Sequence, residues 1–415
     1  DWSSDVCSSD LRNEIAAGGA VDDGEGSSTP RGRMVGLVML VALVLLAVRS
    51  PWTFAFVVGL LVCVFLHEVG HFVTARRTGM KVTQFFMGFG PRVFSFRRGE
   101  TEYGVRALPV GAFVRIIGMN NLDEVDPADE PRAYRSKSYP RRLLVITAGS
   151  LMHMVIALTL FTGVYLFHGG PYRNGQAMVL NTLDPSPAHT AGITPGDEII
   201  SIDGVEVGSY DSIVKQISRH RPGDSMQVSF LHGGDLKNVS VTLAENPTVA
   251  GRGFLGVFAD DWGYKRLDPV SAIGRSVGDI GSNARDSFTG MFTVLNPMNS
   301  WQQVTNKNAP AEKRPTTVVG ISKVGGRLGH DYGWAGILRL LGYVNVFVGL
   351  FNMLPLLPFD GGHAAIATYE RIRSRNGRTY RADIGKMVPV ATAVVGLLLV
   401  LFVTGLYLDI TRPIG

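Results

Sequence analysis

The chain has 415 residues, 46% of them hydrophobic, and a formal net charge of +5 from 40 basic and 35 acidic side chains. That balance is too weak to imply nucleic acid, and no RNA- or DNA-binding signature occurs. The length allows two or three compact units, and the composition suits a membrane protein carrying a modest soluble part.

Asp1 to Leu11 read as the back-translation of a sequencing adapter, and Arg12 to Arg33, with its Gly, Asp and Ser, as a disordered tail. With Cys7 set aside, Cys63 stands alone in an apolar stretch, where it reads as a small buried hydrophobe, so no disulfide framework is expected. Candidate spans are Met34–Val48, Trp52–Ala75, Leu143–Phe167, Trp334–Leu357 and Val388–Tyr407. The first is short of the roughly 20 residues that a helical crossing needs. Four or five spans are therefore expected, with Arg49-Ser50-Pro51 joining the first two in a tight hairpin.

The second span ends in His67-Glu68-Val69-Gly70-His71, and Trp52 to Leu66 before it carry no charge. Histidines four apart share one helical face, the spacing that lets both imidazoles hold one zinc ion with Glu68 beside it to activate water. Three polar residues in one turn at membrane depth cost several kcal/mol, on the order of a few, unless they bind something. Between Lys81 and Met119, aromatic and β-branched residues alternate with Gly and charged turns, and Arg98-Gly99-Glu100 reads as a hairpin tip. A small β-sheet dipping into the cytoplasmic face is expected there, with an edge free to pair with an extended substrate.

Gly175 to Glu245 reads as a soluble β-rich domain: a strand ending at Asp203-Gly204, a helix over Asp211–Arg219, and strands at Met226–Leu231 and Val239–Leu243. This order looks like a bacterial PDZ domain, which binds extended peptides along a sheet edge. Asp268–Arg314 has helical stretches that suit the outer surface. The fourth span closes in Asn352-Met353-Leu354-Pro355-Leu356-Leu357-Pro358-Phe359-Asp360-Gly361-Gly362-His363. A carboxylate there is a functional candidate by default.

Arg76, Arg77 and Lys81, then Arg141 and Arg142, then Arg371, Arg373, Arg375, Arg378 and Arg381 fall on one side if the spans alternate, and Arg31 and Arg33 agree if the first segment crosses. Positive charge marks that side as the cytoplasm. The motif and Asp360 then meet at the cytoplasmic level, and Pro171 to Gly333 lies outside. Two histidines and a carboxylate leave one zinc position open, as hydrolysis requires.

Together, His67-Glu68-x-x-His71 and Asn352-x-x-Pro355-x-x-x-x-Asp360-Gly361 resemble the site-2 protease family of intramembrane zinc metalloproteases, over nearly all of Trp52 to Tyr407. The single PDZ-like insertion and Val319-Gly320-Ile321 look like its actinobacterial branch. The resemblance implies His67, His71 and Asp360 as ligands of Zn2+, Glu68 as catalytic base, and Asn352 as a substrate-positioning residue. One departure is Gly149-Ser150-Leu151-Met152-His153, where His153 stands at the family's Asn position. A helix–helix hydrogen bond is the favoured reading for it, with a substrate contact or a resting-state metal bond as alternatives. Among other third ligands, Arg77 occupies the place where a metzincin needs His, Glu100 and Glu102 sit at the hairpin tip, and His363 stays open.

The fold expected is a polytopic α-helical membrane protein with a membrane-associated β segment and an inserted extracytoplasmic PDZ-like domain. Its divisions are residues 1–33 (adapter remnant and tail), 34–172 (first membrane domain), 173–247 (PDZ domain), 248–333 (linker and amphipathic segments) and 334–415 (second membrane domain). The function expected is hydrolysis of peptide bonds within or beside transmembrane helices, in the cell membrane, with the site towards the cytoplasm. The resemblance implies anti-sigma-factor-like membrane substrates already shortened by a first protease, the PDZ domain acting as filter. Two other classes stay open: a scaffold that binds membrane segments without cutting, and a membrane-tethered zinc peptidase acting on soluble peptides.

Overall fold

A computed structural model of the chain describes residues 30–119, 124–306, 314–374 and 380–413. The adapter-like remnant, most of the tail, and Arg375 and Arg378 fall outside the described residues. The chain divides into two compact units, one running up to Val164 and resuming at Pro269, the other spanning Tyr165–Asp268.

In the first unit, α1 (Pro30–Arg49) is a helix of 20 residues. At 1.5 Å per residue it reaches about 30 Å, so the helix extends beyond the apolar run and is long enough to cross. Ser50 separates it from α2 (Pro51–Arg77), whose Pro51 stands in the first turn, where a missing N–H costs nothing. Two strands follow, β1 (Val82–Arg98) and β2 (Thr101–Ile116), paired antiparallel about the Gly99-Glu100 tip, where Gly99 takes φ +65°. The strands bend, so that Gln84 to Met87 lie beside both Glu102 to Val105 and Ala112 to Arg115. Phe86 is fully buried, with the Arg92 and Arg106 guanidiniums 5.5 and 5.1 Å from its ring centre, while Phe94, Phe96, Val105 and Leu108 stay exposed.

Helix α3 (Tyr139–Phe167) packs closely on α2, because a Cβ on Gly70 would come within 2.8 Å of the Ala148 carbonyl oxygen. A core of Ala75, Met80, Val82, Ile116, Tyr134, Val145, Ile146, Ala364 and Ala367 joins the end of α2, both strands, the start of α3 and a later helix. At its rim, Arg142 bonds Glu370 at 2.7 Å and lies over the Tyr134 ring at 4.8 Å. Burial pushes the Tyr134 hydroxyl up to about 12.

The second unit is built on β3 (Gly170–Thr182), a short helix α4 (Pro187–Thr190), β4 (Glu198–Ile202), β5 (Val205–Glu206), α5 (Tyr210–Ile217), β6 (Ser225–His232), β7 (Asp235–Thr242), β8 (Ala244–Glu245), β9 (Gly253–Phe254) and β10 (Val257–Lys265). The main sheet runs β10-β3-β4-β6-β7, with β5 beside β4. Ile193, Ile199, Ile202, Ile213, Met226, Val228 and Phe230 are all at most 1% exposed and form its core. The helix and strands expected over Asp211–Arg219, Met226–Leu231 and Val239–Leu243 are thus present within a residue or two at most ends. The unit is longer than residues 173–247: β10, in the stretch read as linker, pairs with β3 from Val257–Thr182 to Lys265–Gly170.

Back in the first unit, α6 (Pro269–Leu295) and α7 (Pro297–Thr305) precede α8 (Val318–Asn352), α9 (Asp360–Arg373) and α10 (Val388–Thr411). The amphipathic α6, expected on the outer surface, packs against the spans: Asn283 Nδ2 donates to the Tyr343 carbonyl at 3.2 Å and Thr162 to Ser276 at 3.1 Å. Helix α8 breaks at Gly333 (φ +59°), just before the expected start of the fourth span. Its first half lays Gly325, Gly326 and Gly329 against Phe56, Thr53 and Trp52 of α2. The start of α8 is held by Asp409, 1% exposed, which accepts from the Thr317 and Gly320 N–H groups at 2.8 and 3.1 Å and from Arg314 at 2.7 Å. Among the described residues, five helices are long and apolar enough to cross a membrane: Gly32–Arg49, Pro51–Arg77, Tyr139–Phe167, Val318–Asn352 and Gly385–Thr411.

The compact core of the second unit predicts that residues 165–268 fold on their own in one cooperative transition. Replacing the fully buried Ile199 with Ala in that fragment should remove about 2–5 kcal/mol of stability, read from urea unfolding.

Candidate metal centre

Two helices bring the candidate ligand atoms together. His67 and His71 project from one face of α2, and Asp360 is the first residue of α9, where a helix N-terminus favours a carboxylate. The turn that delivers Asp360 is tight: a Cβ on Gly361 would overlap the Met353 and Leu354 carbonyls, so the backbones meet only because that residue is glycine.

The spacing is that of a metal site. His71 Nε2 lies 3.2 Å from His67 Nε2, and Asp360 Oδ2 lies 3.3 Å from His71 Nε2 and 3.5 Å from His67 Nε2. A tetrahedral zinc ion with bonds of about 2.0–2.2 Å sets its ligand atoms roughly 3.3–3.6 Å apart. His71 Nδ1 donates to the Val145 carbonyl at 2.8 Å, which leaves the Nε2 lone pair facing the site. Asp360 Oδ2 is buried with no hydrogen bond of its own, a cost that a bound cation would remove. The donor set of two imidazoles and one carboxylate therefore fits zinc, and among the described residues these three form the grouping able to hold a metal ion.

The wall behind the site is Gly149 on α3. A Cβ there would overlap His71 Nε2 and His67 Cε1, so the absence of a side chain makes the space that the ligands occupy. Glu68 Oε1 stands 4.0 Å from His67 Nε2, adjacent to the ligand atoms but outside their cluster. Asn352 is the last residue of α8, half-buried, one loop before Asp360. His153 Nδ1 bonds Asn345 Oδ1 on α8 at 2.7 Å, the helix–helix contact favoured from the sequence. Glu100 and Glu102 are committed elsewhere, to Arg132 and to Arg92 at 2.9 Å, and the Arg132 guanidinium holds the Glu100 carboxyl below its usual range. His363 does not join the ligand grouping.

The sequence reading passed over Gly149 as a cradle, the Val145 carbonyl and Asn345. Asn345 had a signal: an amide in the middle of an apolar span needs a partner.

The model of peptidase family M50 matches residues 55–396. The chain belongs to that family. M50 relatives include the zinc metalloprotease Rip1 of Mycolicibacterium smegmatis, 32% identical over 399 residues that cover 87% of this chain and 97% of that protein. Rip1 of Mycobacterium tuberculosis is 30% identical over 404 residues, covering 86% and 97%. A putative zinc metalloprotease of Clostridium acetobutylicum is 27% identical, covering 85% and 96%. The solved PDZ domain of an SdrC-like protein from Listeria monocytogenes aligns at 22% identity with 21% of this chain and 88% of its own, at a TM-score of 0.19. As an M50 peptidase the chain is a zinc metalloprotease, and its apolar helices make it a membrane protein.

Gly149→Ala puts a methyl group where two imidazoles stand. It should weaken zinc binding by about tenfold or more while the purified protein keeps its helical content. Competition with a chromogenic chelator measures the first, circular dichroism the second.

Proposed function

We propose that this M50 peptidase cuts within or beside the transmembrane helices of other membrane proteins. The observation that supports the reading is the convergence of His67 and His71, on the long apolar α2, with Asp360, one loop after the long apolar α8. His67, His71 and Asp360 would hold the zinc ion, which when bound supplies Lewis acidity to a scissile carbonyl and lowers the pKa of water to about 7.

The chain's own groups do the rest. The Glu68 carboxylate takes the proton from the attacking water and later gives it to the leaving amine. A helical substrate hides its peptide bonds in its own hydrogen bonds and must unwind before it can react. The β1–β2 strands, with exposed Phe94 and Phe96, offer backbone partners for the opened segment, and Asn352 offers an amide at the end of α8.

The basic residues at the ends of the spans support a site towards the cytoplasm, with the Tyr165–Asp268 unit on the outer side of the cell membrane. That unit, a PDZ-like domain, would bind peptide segments and admit substrates already shortened by another protease, in regulated intramembrane proteolysis of anti-sigma-factor-like proteins.

The test is cleavage of a single-span substrate by the purified chain in lipid, with cut sites read by mass spectrometry. Cuts inside the span are expected. Glu68→Gln should slow them by about 10²–10⁴-fold while zinc content is unchanged. Cuts confined to soluble flanks would favour a membrane-tethered peptidase instead, and no cut by the zinc-replete wild type would favour a scaffold.

A further inference from the structure

The two histidines of the motif are held in different ways. His71 has the usual anchor, its Nδ1–H donating to a backbone carbonyl. His67 Nδ1 is buried and has no hydrogen-bond partner among the described residues. A ligand that lacks this second hydrogen bond is free to rotate about its ring axis unless packing stops it.

What packs on it is His153. The two rings lie 4.7 Å apart between centroids, their planes 39° from parallel. His153 is 2% exposed, and its own orientation is set by Asn345, 1% exposed. Both hydrogens of the Asn345 amide are spent, on the Leu341 carbonyl at 2.7 Å and on Cys63 Sγ at 3.2 Å. Its oxygen must therefore accept, and His153 Nδ1 is the donor at 2.7 Å. Cys63 lies one helical turn before His67 on the same face of α2. The contacts thus form a closed circuit, Cys63 to Asn345 to His153 to His67, across α2, α8 and α3. Gly349 keeps the circuit tight, since a Cβ there would come within 3.0 Å of His153 Cβ.

We propose that His153 and Asn345 are positioning residues for zinc: the Asn345 amide locks the His153 ring, and that ring holds His67 in the orientation that binds the ion. The histidine at position 153, where the family resemblance leads one to expect asparagine, thereby replaces the missing hydrogen bond of His67 by a ring contact. The proposal rests on His67, His71 and Asp360 being the zinc ligands.

The test is zinc affinity of the full chain in lipid, by competition with a fluorescent chelator, with the visible absorption of the cobalt(II)-loaded protein as a second readout. His153→Ala and Asn345→Ala should each weaken zinc by about tenfold or more, and the double variant should be no weaker than the weaker single. The cobalt bands should shift in both. His153→Phe, which fills the same space without the anchoring N–H, should still fold and show weakened zinc. Wild-type affinity and unshifted cobalt bands in His153→Phe and Asn345→Ala would overturn the proposal. His67→Ala separates the two ideas: if it loses zinc, the ligand reading stands whatever His153 does; if it keeps full zinc, both fall.

Discussion

The rest of this structure depends on the cost of putting His67, Glu68 and His71 into one turn of an apolar helix. A single charged side chain at the middle of a membrane helix costs about 2.5–3.5 kcal/mol on insertion scales, and three polar groups in one turn need partners or a ligand. The fold answers with the three-way meeting of α2, α3 and α9. Gly70 lets α3 approach α2, Gly149 opens room for both imidazoles, and Gly361 lets the loop turn sharply enough to present Asp360. Each of these glycines sits where a Cβ would strike backbone or one of the two imidazoles. The site is a consequence of close helix packing as much as of its donor residues.

The same economy appears away from the metal. The bent β1–β2 strands stay joined to α2 and α3 through the Ala75–Tyr134–Ile146 core, with Arg142 and Glu370 paired at its rim. At the other end of α8, Asp409 satisfies two helix N-terminal N–H groups and the Arg314 guanidinium at once, so a buried carboxylate caps a helix rather than binding a metal. Two aspartates in one unit thus differ in their surroundings. Asp360 Oδ2 lacks a donor, and Asp409 is supplied with several.

Much of this was legible in the sequence, for a local reason. The spacing from His67 to His71 is a property of any α-helix, and the Gly99-Glu100 turn follows from short-range patterning. Asp360 was legible because a carboxylate ending an apolar run is costly, and alternating topology set it level with the histidines. The contacts that orient the candidate ligands were not. His71 to Val145 and His153 to Asn345 join residues 74 and 192 positions apart, and no periodicity encodes them. Strand β10 escaped because Ala259-Asp260-Asp261 breaks the apolar alternation, although its pairing with β3 completes the second unit's sheet. Asp409 drew no reading from the sequence, because its role depends on Thr317 and Gly320, far back in the chain.

X-ray absorption at the zinc edge, on the purified chain in lipid, tests the centre most directly. The geometry predicts one zinc per chain surrounded by nitrogen and oxygen at about 2.0–2.2 Å, with scattering from two imidazoles. Asp360→Ala should remove a ligand and weaken the bound ion. A sulfur neighbour, which only cysteine or methionine could supply, or a spectrum showing fewer than two imidazoles and unchanged by Asp360→Ala, would contradict it.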